Sequence, residues 1–186
     1  MNSRLPTCLT VGGVDYKIRT DYHCILDILF AFDDPELKEN EKMYVCLVIL
    51  YKTFYKIPKQ HYEEAYQKAI QFIEHGMNSK DKSCLRIVDW EQDEALIFPA
   101  LNKAAGFEIR AAGYLHWWTF LGFYMEMPES IYSTIIRLRL KKSKHEKFEK
   151  WETKFWQSNK DICVLKPKLT VEEQRLKEKA NALFGG

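Results

Sequence analysis

The segment from Tyr114 to Met125 constrains the fold most, because His116 and Thr119 are its only clearly polar interruptions. A helix that is apolar all round is either buried on every side or shared between subunits. Before it, the acidic stretch Asp89–Glu94 leads into a second apolar stretch that includes Leu96-Ile97-Phe98. The two segments predict a pair of helices, one with an acidic start and one almost wholly apolar.

The length and composition favour one helical domain. At 186 residues a single domain is the default, and the contents of 29% charged and 46% hydrophobic residues are ordinary for a globular chain. The longest apolar run, Val45–Tyr51, is far shorter than a membrane span. The N-terminus lacks the apolar centre of a signal peptide, so we expect a cytosolic protein without a membrane partner.

A β-hairpin is predicted at about residues 6–18. Two alternating segments, Thr7–Val11 and Val14–Ile18, flank Gly12-Gly13. A two-residue loop of this composition pairs Val11 with Val14 and Leu9 with Tyr16. Two strands alone are marginal in water, so their apolar face must lie on helices or on a neighbouring subunit.

Helical periodicity covers most of the remaining chain, which predicts a mainly α fold of about seven to eight helices. We assign one domain to residues 1–165 and a tail with a short amphipathic helix to residues 166–186. The predicted helices are Asp21–Phe32, Asn40–Tyr55, Lys59–Glu74, one from an Asp89 cap to Gly106, Tyr114–Met125, Glu129–Leu140, one ending near Ser158, and one capped by Thr170 with Glu173. A stop at His75-Gly76 and a polar loop over Met77–Arg86 separate the third from the fourth.

Asp89 and Asp93 are four residues apart, and Glu91 and Glu94 lie beside them. Two carboxylates one helical turn apart could hold a hard cation. Helix capping by Asp89, with Gln92 three residues on, accounts for the same acids, and no nearby loop supplies the remaining oxygens. We therefore predict no metal site.

No catalytic pattern is present in the sequence. His116 has no neighbouring nucleophile or orienting group, so we interpret it as a structural histidine. Phosphate-loop, dinucleotide, nucleophile-elbow and zinc-protease motifs are absent. We predict a non-enzyme without catalytic residues or cofactor, and keep an enzyme without a familiar motif as an alternative.

The five cysteines are odd in number and widely spaced, with no Cys-x-x-Cys pair. This pattern argues against a disulfide framework or a zinc site, and we expect buried free thiols in a reducing compartment.

Charge is unevenly distributed along the chain. Residues 1–136 carry 14 basic and 19 acidic side chains, a net charge of −5, whereas residues 137–160 carry 9 and 3, a net charge of +6. Within Arg137–Lys160, lysines interleave with Phe148, Trp151, Phe155 and Trp156. Basic residues with stacking aromatics are typical of nucleic-acid grooves. The spacing of three and four also fits an amphipathic helix with inward aromatics and solvated lysines, and we favour that interpretation.

The order of segments resembles the bacteriophage family of tail-assembly chaperones of long-tailed phages, which are encoded beside the tail tape measure protein. The resemblance spans about residues 4–165. It rests on Leu5-Pro6-Thr7, Asp33-Asp34-Pro35-Glu36-Leu37, Asp89-Trp90-Glu91-Gln92-Asp93, Leu96-Ile97-Phe98-Pro99-Ala100, Leu115-His116-Trp117-Trp118-Thr119-Phe120-Leu121 and Ile136-Arg137-Leu138-Arg139.

This resemblance implies a protein of the infected bacterium's cytoplasm that coats the tape measure protein until tail-tube subunits displace it, and that is absent from the mature virion. It also implies self-association and, in a longer frameshifted form, binding to the tail-tube protein. It implies no catalytic residues.

Candidate partner-binding residues follow from large apolar side chains and exposed bases. Helix-in-groove binding uses an apolar face, and large aromatic residues often dominate interfaces. The candidates are Trp117, Trp118, Phe120, Leu121, Tyr124, Lys147, Lys150 and Lys154. We expect at least half of the apolar ones to be core.

Overall fold

The computed structural model of the chain describes residues 4–74 and 87–184. Within them lie the strands β1 (Cys8–Val11) and β2 (Val14–Lys17) and nine α-helices: α1 (Tyr22–Asp33), α2 (Glu39–Leu50), α3 (Tyr62–Ile73), α4 (Glu94–Ala105), α5 (Trp117–Met125), α6 (Ile131–Ser143), α7 (Lys150–Ser158), α8 (Lys160–Cys163) and α9 (Val171–Phe184). The predicted mainly α fold with an N-terminal hairpin is confirmed. The predicted stop at His75-Gly76 and the loop Met77–Arg86 lie outside the described residues.

The hairpin has the predicted register. Val11 pairs with Val14 and Leu9 with Tyr16, and the turn glycines have φ angles of +56° at Gly12 and +77° at Gly13. Positive φ at both turn positions gives a turn whose twist matches that of the strands, which is why glycine suits both. The backbone N–H of Gly12 donates to Oε2 of Glu64 on α3 at 3.0 Å. The hairpin therefore lies on a helix of its own chain.

The starts of α1 and α5 are joined to each other. One carboxylate oxygen of Asp21 accepts from the backbone N–H of His23 and caps α1, while the other accepts from the N–H of Leu115 at 3.0 Å. The N–H of Trp117 donates to the carbonyl of Thr20 at 2.7 Å. Two helix starts thus satisfy each other's free backbone groups, which otherwise would have no partner.

Aromatic side chains of α5 stack in the core. Phe120 is fully buried and stacks on Tyr22 of α1, with ring centroids 4.7 Å apart, and on Trp117 at 5.4 Å. The other large, fully buried side chains come from β2 and its end, α1, α2, α4 and α6; they are Ile18, Ile25, Ile28, Leu47, Leu50, Tyr51, Ile97, Leu101 and Tyr132. Helix α5 thus places Trp117, Phe120 and Leu121 in the core but is not buried on every side, since Gly122 and Met125 are exposed.

Helix α2 is shorter than predicted, ending at Leu50 and not near Tyr55. The end of β2 competes for its last backbone groups. The N–H of Arg19 donates to the carbonyl of Leu50 at 2.7 Å, and Tyr51 pairs with Ile18 in an isolated antiparallel bridge. The chain is therefore drawn into an extended conformation at Tyr51.

Helical spacing in the predicted helix Glu129–Leu140 places Ile131, Ile135 and Leu138 on the inner face. Helix α6 buries Ile135 and Leu138, as predicted, but Ile131 is exposed. Ser130 caps the helix by accepting from the N–H of Ser133 at 3.1 Å, so the helix starts two residues later than predicted. Tyr132 takes the inner position of the first turn. The prediction that Ile131 faces inward is wrong.

Among the described residues, no helix combines the length and apolar character that crossing a membrane requires.

Candidate protein-binding surface

The predicted apolar contact residues of α5 serve the core of the single chain. Trp117, Phe120 and Leu121 are buried, while Trp118 and Tyr124 are partly buried. The indole N–H of Trp117 donates to the carbonyl of Ile73 at 2.8 Å, and that of Trp118 to the carbonyl of Phe72 at 2.9 Å. These two bonds hold the end of α3 against α5. A single chain does not test partner binding, so that role stays a prediction.

His116 is a structural histidine, as predicted. It precedes α5, and its Nδ1 accepts from the backbone N–H of Trp118 at 3.1 Å. Its Nε2 lies 3.0 Å from the carbonyl oxygen of Pro6, which can only accept, so Nε2 donates. Both ring nitrogens are used, and the N-terminal segment is tied to α5.

The acidic start of α4 holds an ion pair that sequence patterns did not indicate. Arg139 and Asp93 are both buried, with Nη1 2.6 Å and Nη2 2.8 Å from the two carboxylate oxygens. The remaining N–H groups of Arg139 donate to the carbonyls of Ile87, Ile162 and Cys163 at 2.7–2.9 Å. All five guanidinium donors are therefore satisfied.

Asp89 does not begin α4 and does not share a capping box with Gln92. Helix α4 begins at Glu94, and Asp89 closes the preceding turn by accepting from the N–H groups of Glu91 and Gln92, each at 3.0 Å. The N–H of Asp89 donates to Asp93 instead of to Gln92. Asp89 thus forms a local turn before the helix, whereas Asp93, which precedes the helix directly, pairs with the distant Arg139.

Gln92 instead holds the segment that leads to α9. Its Nε2 donates to the carbonyl of Val164 at 2.9 Å, and its Oε1 accepts from the N–H of Lys166 at 2.9 Å. Nζ of Lys168 lies 3.4 Å from Glu91 and 3.8 Å from Asp89. The acidic start of α4 is thus an anchor for the C-terminal segment.

The basic segment has two different faces. Lys147, Lys150 and Lys154 are exposed, as a solvated or partner-binding face requires. On the inner face, Nζ of Lys141 lies 2.7 and 2.9 Å from the carboxylate oxygens of the buried Glu152. These hydrogen bonds hold the pKa of Glu152 below its usual range.

Two tryptophans of this segment already lie beside cations of the same chain. Nζ of Lys142 is 4.3 Å from the ring centroid of Trp156, and the guanidinium carbon of Arg137 is 5.3 Å from that of Trp151. Trp151 is nevertheless 46% exposed. The two cation–π contacts help to hold α7 against α6.

A cleft lies between α1 and α4, with a volume of about 300 Å³. Its apolar lining, which defines the α1–α4 cleft, consists of Leu26, Phe30, Trp90, Ile97 and Phe98. An adjoining hollow of about 550 Å³ shares Phe30 and Glu94 with it and extends to Pro35 and Lys168. The two depressions therefore adjoin at Phe30 and Glu94.

Tyr22 forms part of the inner wall of the α1–α4 cleft. It is 1% exposed, and its hydroxyl is the only buried side-chain polar atom without a hydrogen-bond partner in the part of the chain described. Burial raises the pKa of this phenol, and the neighbouring Asp21 raises it further. A buried unpaired hydroxyl is unfavourable and rare in folded proteins.

Helix α9 has no apolar face covered by the rest of the chain. Thr170 and Glu173 form the predicted capping box, with Thr170 N to Glu173 Oε2 at 2.8 Å and Glu173 N to Thr170 Oγ1 at 3.2 Å. Every residue from 171 to 183 is exposed, with Leu176 at 60% and Leu183 at 78%. The apolar stripe Leu176, Ala180, Leu183 is therefore on the surface.

No group of three or more His, Cys, Asp or Glu side chains within residues 4–74 and 87–184 is arranged to hold a metal. The cysteines differ in environment: Cys46 and Cys163 are buried, Cys24 is partly buried and Cys8 is exposed, against the expectation of uniformly buried thiols. Burial raises the pKa of the Cys46 thiol to about 12. Cys84 lies outside the described residues.

Comparison with known proteins identifies one relationship. A family model described as "Bacteriophage Gp15 protein" matches residues 1–165. No curated protein and no solved structure matches the chain significantly. The matched region ends between α8 and α9, so α9 lies beyond it.

Proposed function

This chain belongs to the bacteriophage Gp15 family, and on that premise we propose that it is a non-enzymatic tail-assembly chaperone. It oligomerises and coats the tape measure protein while the tail is built. It acts in the cytoplasm of the infected bacterium and leaves before the virion is mature. A longer frameshifted form, where the phage makes one, would add contact with the tail-tube protein.

The observation that carries the proposal is the separation of opposite charges on different elements of one fold. Lys147, Lys150 and Lys154 are exposed on α7 and the segment before it, whereas the acids Asp27 and Glu94 line the α1–α4 cleft. Such an arrangement favours head-to-tail contacts between copies. Heterologous contacts that do not close make open helical assemblies, which is the geometry that a coat on a long rod needs.

Some of the candidate contact residues are accessible without rearrangement. Trp118 and Tyr124 are partly exposed on α5, and the three lysines are fully exposed. Trp117, Phe120 and Leu121 would support this surface from the core. We propose that the tape measure helix contacts the accessible edge of α5 and that the lysines bind acidic side chains of a partner.

Co-expression with the tape measure protein of the same genome, followed by light scattering, tests the proposal. We expect a complex with many copies of this chain per tape measure chain. Replacing Lys147, Lys150 and Lys154 together by Gln should weaken it, whereas the matched change of the exposed Lys52, Lys56 and Lys59 should not. A strict monomer that does not co-purify with the tape measure protein would overturn the proposal.

The alternative is nucleic-acid binding through Arg137–Lys160. It is favoured by the exposure of Trp151 among exposed lysines, whereas the intramolecular cations over Trp151 and Trp156 weigh against free stacking platforms. Nucleic-acid binding would be supported by an affinity for single-stranded DNA or RNA that falls steeply with salt. That affinity should also be lost in the same Lys→Gln variant. Binding unchanged by that variant would exclude this segment as the site.

A further inference from the structure

We propose that α9 of one copy docks into the α1–α4 cleft of a second copy, so that the chain assembles head to tail. The inference concerns how this chain binds itself and holds whether or not the assembly serves a tape measure protein. It rests on the cleft, on its unsatisfied tyrosine, on the charge around it and on the uncovered stripe of α9.

The α1–α4 cleft has the form of a site for an apolar helix face. Phe30, which is 38% exposed, stands between the cleft and the adjoining hollow, with Leu26, Trp90 and Phe98 around it. At the border between the two depressions stand the ring of Phe30 and the carboxylate of Glu94. An amphipathic helix places side chains three, four and seven residues apart into such a depression.

Tyr22 gives an independent sign that the cleft is incomplete in the single chain. Its hydroxyl is buried yet unpaired among the described residues, while the hydroxyls of the buried Tyr51 and Tyr132 have partners. The hydroxyl is enclosed in the single chain, so a docked helix or a water supplies the missing partner only if the side chains that cover it shift on docking. If docking supplied no such partner, the unfavourable free energy of the unpaired hydroxyl would stay as it is in the single chain.

The charged side chains around the cleft and hollow are mainly acidic, and the bases among them are paired with acids of the same chain. Asp27, Asp34, Glu91 and Glu94 line the two depressions. Of the cations there, Arg110 is held by Glu108 at 2.7 Å and lies over the ring of Phe98, and Lys168 lies 3.4 Å from Glu91 and 3.6 Å from Asp33. His23 is hydrogen-bonded to Asp21. The depression therefore suits an apolar helix flanked by bases.

Helix α9 has that chemistry. Its stripe of Leu176, Ala180 and Leu183 has the i, i+4, i+7 spacing of one helix face. Lys179 lies three residues after Leu176 and four before Leu183, and Arg175 is one turn before Lys179, so the two bases border the stripe. Of the acids of α9, Glu173 is used in the capping box, Glu178 lies on the face opposite the stripe, and Glu172 lies one turn before Leu176, so the basic border begins at Arg175. Apolar stripe and basic border thus complement the cleft and its acidic surroundings.

The geometry favours a second copy over the same chain as the acceptor. The start of α9 is held on its own body, with the N–H of Val171 donating to Glu36 at 2.6 Å, and α9 contributes none of the described residues that line the α1–α4 cleft. A contact between α9 of one copy and the cleft of the next uses two different surfaces. Such a contact leaves one free α9 and one free cleft at the ends, and so propagates.

Light scattering of the purified full chain over a range of concentrations tests the interface. We expect mass to grow with concentration. The variant L176D/L183D should raise the concentration at which assembly is half complete by about tenfold or more, because two apolar contacts are lost. The control N181D/A182D adds the same charge to α9 at exposed positions outside the stripe and should assemble like the wild type.

Charge reversal makes the test specific. D27K/E94K in the cleft and R175E/K179E in α9 should each reduce assembly alone. In a mixture, the unchanged α9 of the first variant fits the unchanged cleft of the second, which gives a complex of two chains. Growth beyond two chains should return as well, because the reversed cleft and the reversed α9 also fit each other. The control E126K/E129K, at exposed acids of the α5–α6 loop, should have no effect. Association should also weaken with salt, since exposed charges are screened.

Mixing L176D/L183D with the cleft variant F30D gives the decisive result. One variant retains the cleft and the other retains α9, so we expect a complex of two chains that does not grow. A wild-type mass that is independent of concentration, or one that these variants leave unchanged, would overturn the inference. Because no tape measure protein is present, that failure would leave the tape measure test above unaffected.

Discussion

Arg139 of α6 and Asp93, the residue before α4, form a doubly hydrogen-bonded ion pair across 46 positions of sequence, with N–O distances of 2.6 and 2.8 Å. The same guanidinium binds the carbonyls of Ile162 and Cys163 at the end of α8. One buried cation therefore joins the start of α4, the middle of α6 and the end of α8. This junction positions the segment from which α9 departs.

Removing either partner of this pair should strongly destabilise the protein. We expect Arg139→Met and Asp93→Asn each to lower the free energy of unfolding by about 3–5 kcal/mol, because each leaves a buried charge without its counterpart. The double variant should cost less than the sum of the two. Urea unfolding measures all three, with the exposed Lys103→Met as a control expected within about 0.5 kcal/mol of the wild type. Single-variant losses below about 1 kcal/mol would contradict this role.

The buried Trp117 and the half-exposed Trp151 should respond differently to substitution by phenylalanine. Trp117→Phe removes the buried indole donor of the Ile73 carbonyl and should cost at least about 1–3 kcal/mol in unfolding free energy. Trp151→Phe alters a half-exposed ring and should cost less than about 1 kcal/mol. Thermal and urea unfolding compare them directly. If both variants lost the same free energy of unfolding, the buried position of Trp117 on α5 would not explain its contribution to stability.

Two buried tyrosines provide a matched test of the unpaired hydroxyl. The hydroxyl of Tyr51 donates to the carbonyl of Ala65 at 2.9 Å, so Tyr51→Phe should destabilise the monomer by about 1 kcal/mol or more. Tyr22→Phe removes a buried group that has no partner in the described part of the chain, and should be neutral or stabilising. Unfolding is measured at a concentration where the chain is monomeric. A loss for Tyr22→Phe as large as that for Tyr51→Phe would show that the Tyr22 hydroxyl is bonded.

Glu108 should make the stability depend on acid pH. Hydrogen bonds from the Arg110 side chain are the largest cause that lowers the pKa of Glu108, from an ordinary 4.5 to about 2, and Asn102 adds another at 2.7 Å. Because the folded-state pKa is below the unfolded one, the stabilisation is complete above about pH 4.5 and is lost as the pH falls towards about 2. The melting temperature of Glu108→Gln should therefore lie below that of the wild type at neutral pH and approach it at about pH 2.

The titration of Glu108 can also be followed directly by NMR of its side-chain carboxyl carbon. We expect Arg110→Gln to move its pKa upwards, towards the ordinary value, since the first cause of the shift is removed. An unchanged titration in Arg110→Gln would assign the shift to the Asn102 contact instead.

Features governed by neighbouring residues could be predicted from sequence. The hairpin register followed from Gly12-Gly13 and strand alternation, and the caps of α1 and α9 followed from Asp21 and from Thr170 with Glu173. The left-handed residue that ends α4 is Gly106, with φ of +77°. Each of these depends on backbone geometry within a few residues, which the local sequence specifies.

Features governed by distant contacts could not be predicted in the same way. The local sequence around Asp89 and Asp93 fits a helix cap. It contains nothing that indicates the ion pair of Asp93 with Arg139 or the contacts of this segment with residues 164–168. The burial of Glu152 depends on Lys141, eleven positions earlier. The exposed position of Ile131 depends on where Ser130 starts α6.

The sequence by itself determined the helical class, the hairpin and the contribution of the apolar helix to the core, because hydrophobic period and turn chemistry act over short distances along the chain. It also contained the stripe and bases of α9. Only the tertiary structure decided which side chains of α5 are buried, that Tyr22 lacks a partner in the described chain, and that α1 and α4 enclose an apolar cleft with acids beside it. Those properties arise from the packing of helices far apart in sequence, where many pairings satisfy the same local pattern and only the assembled core selects one.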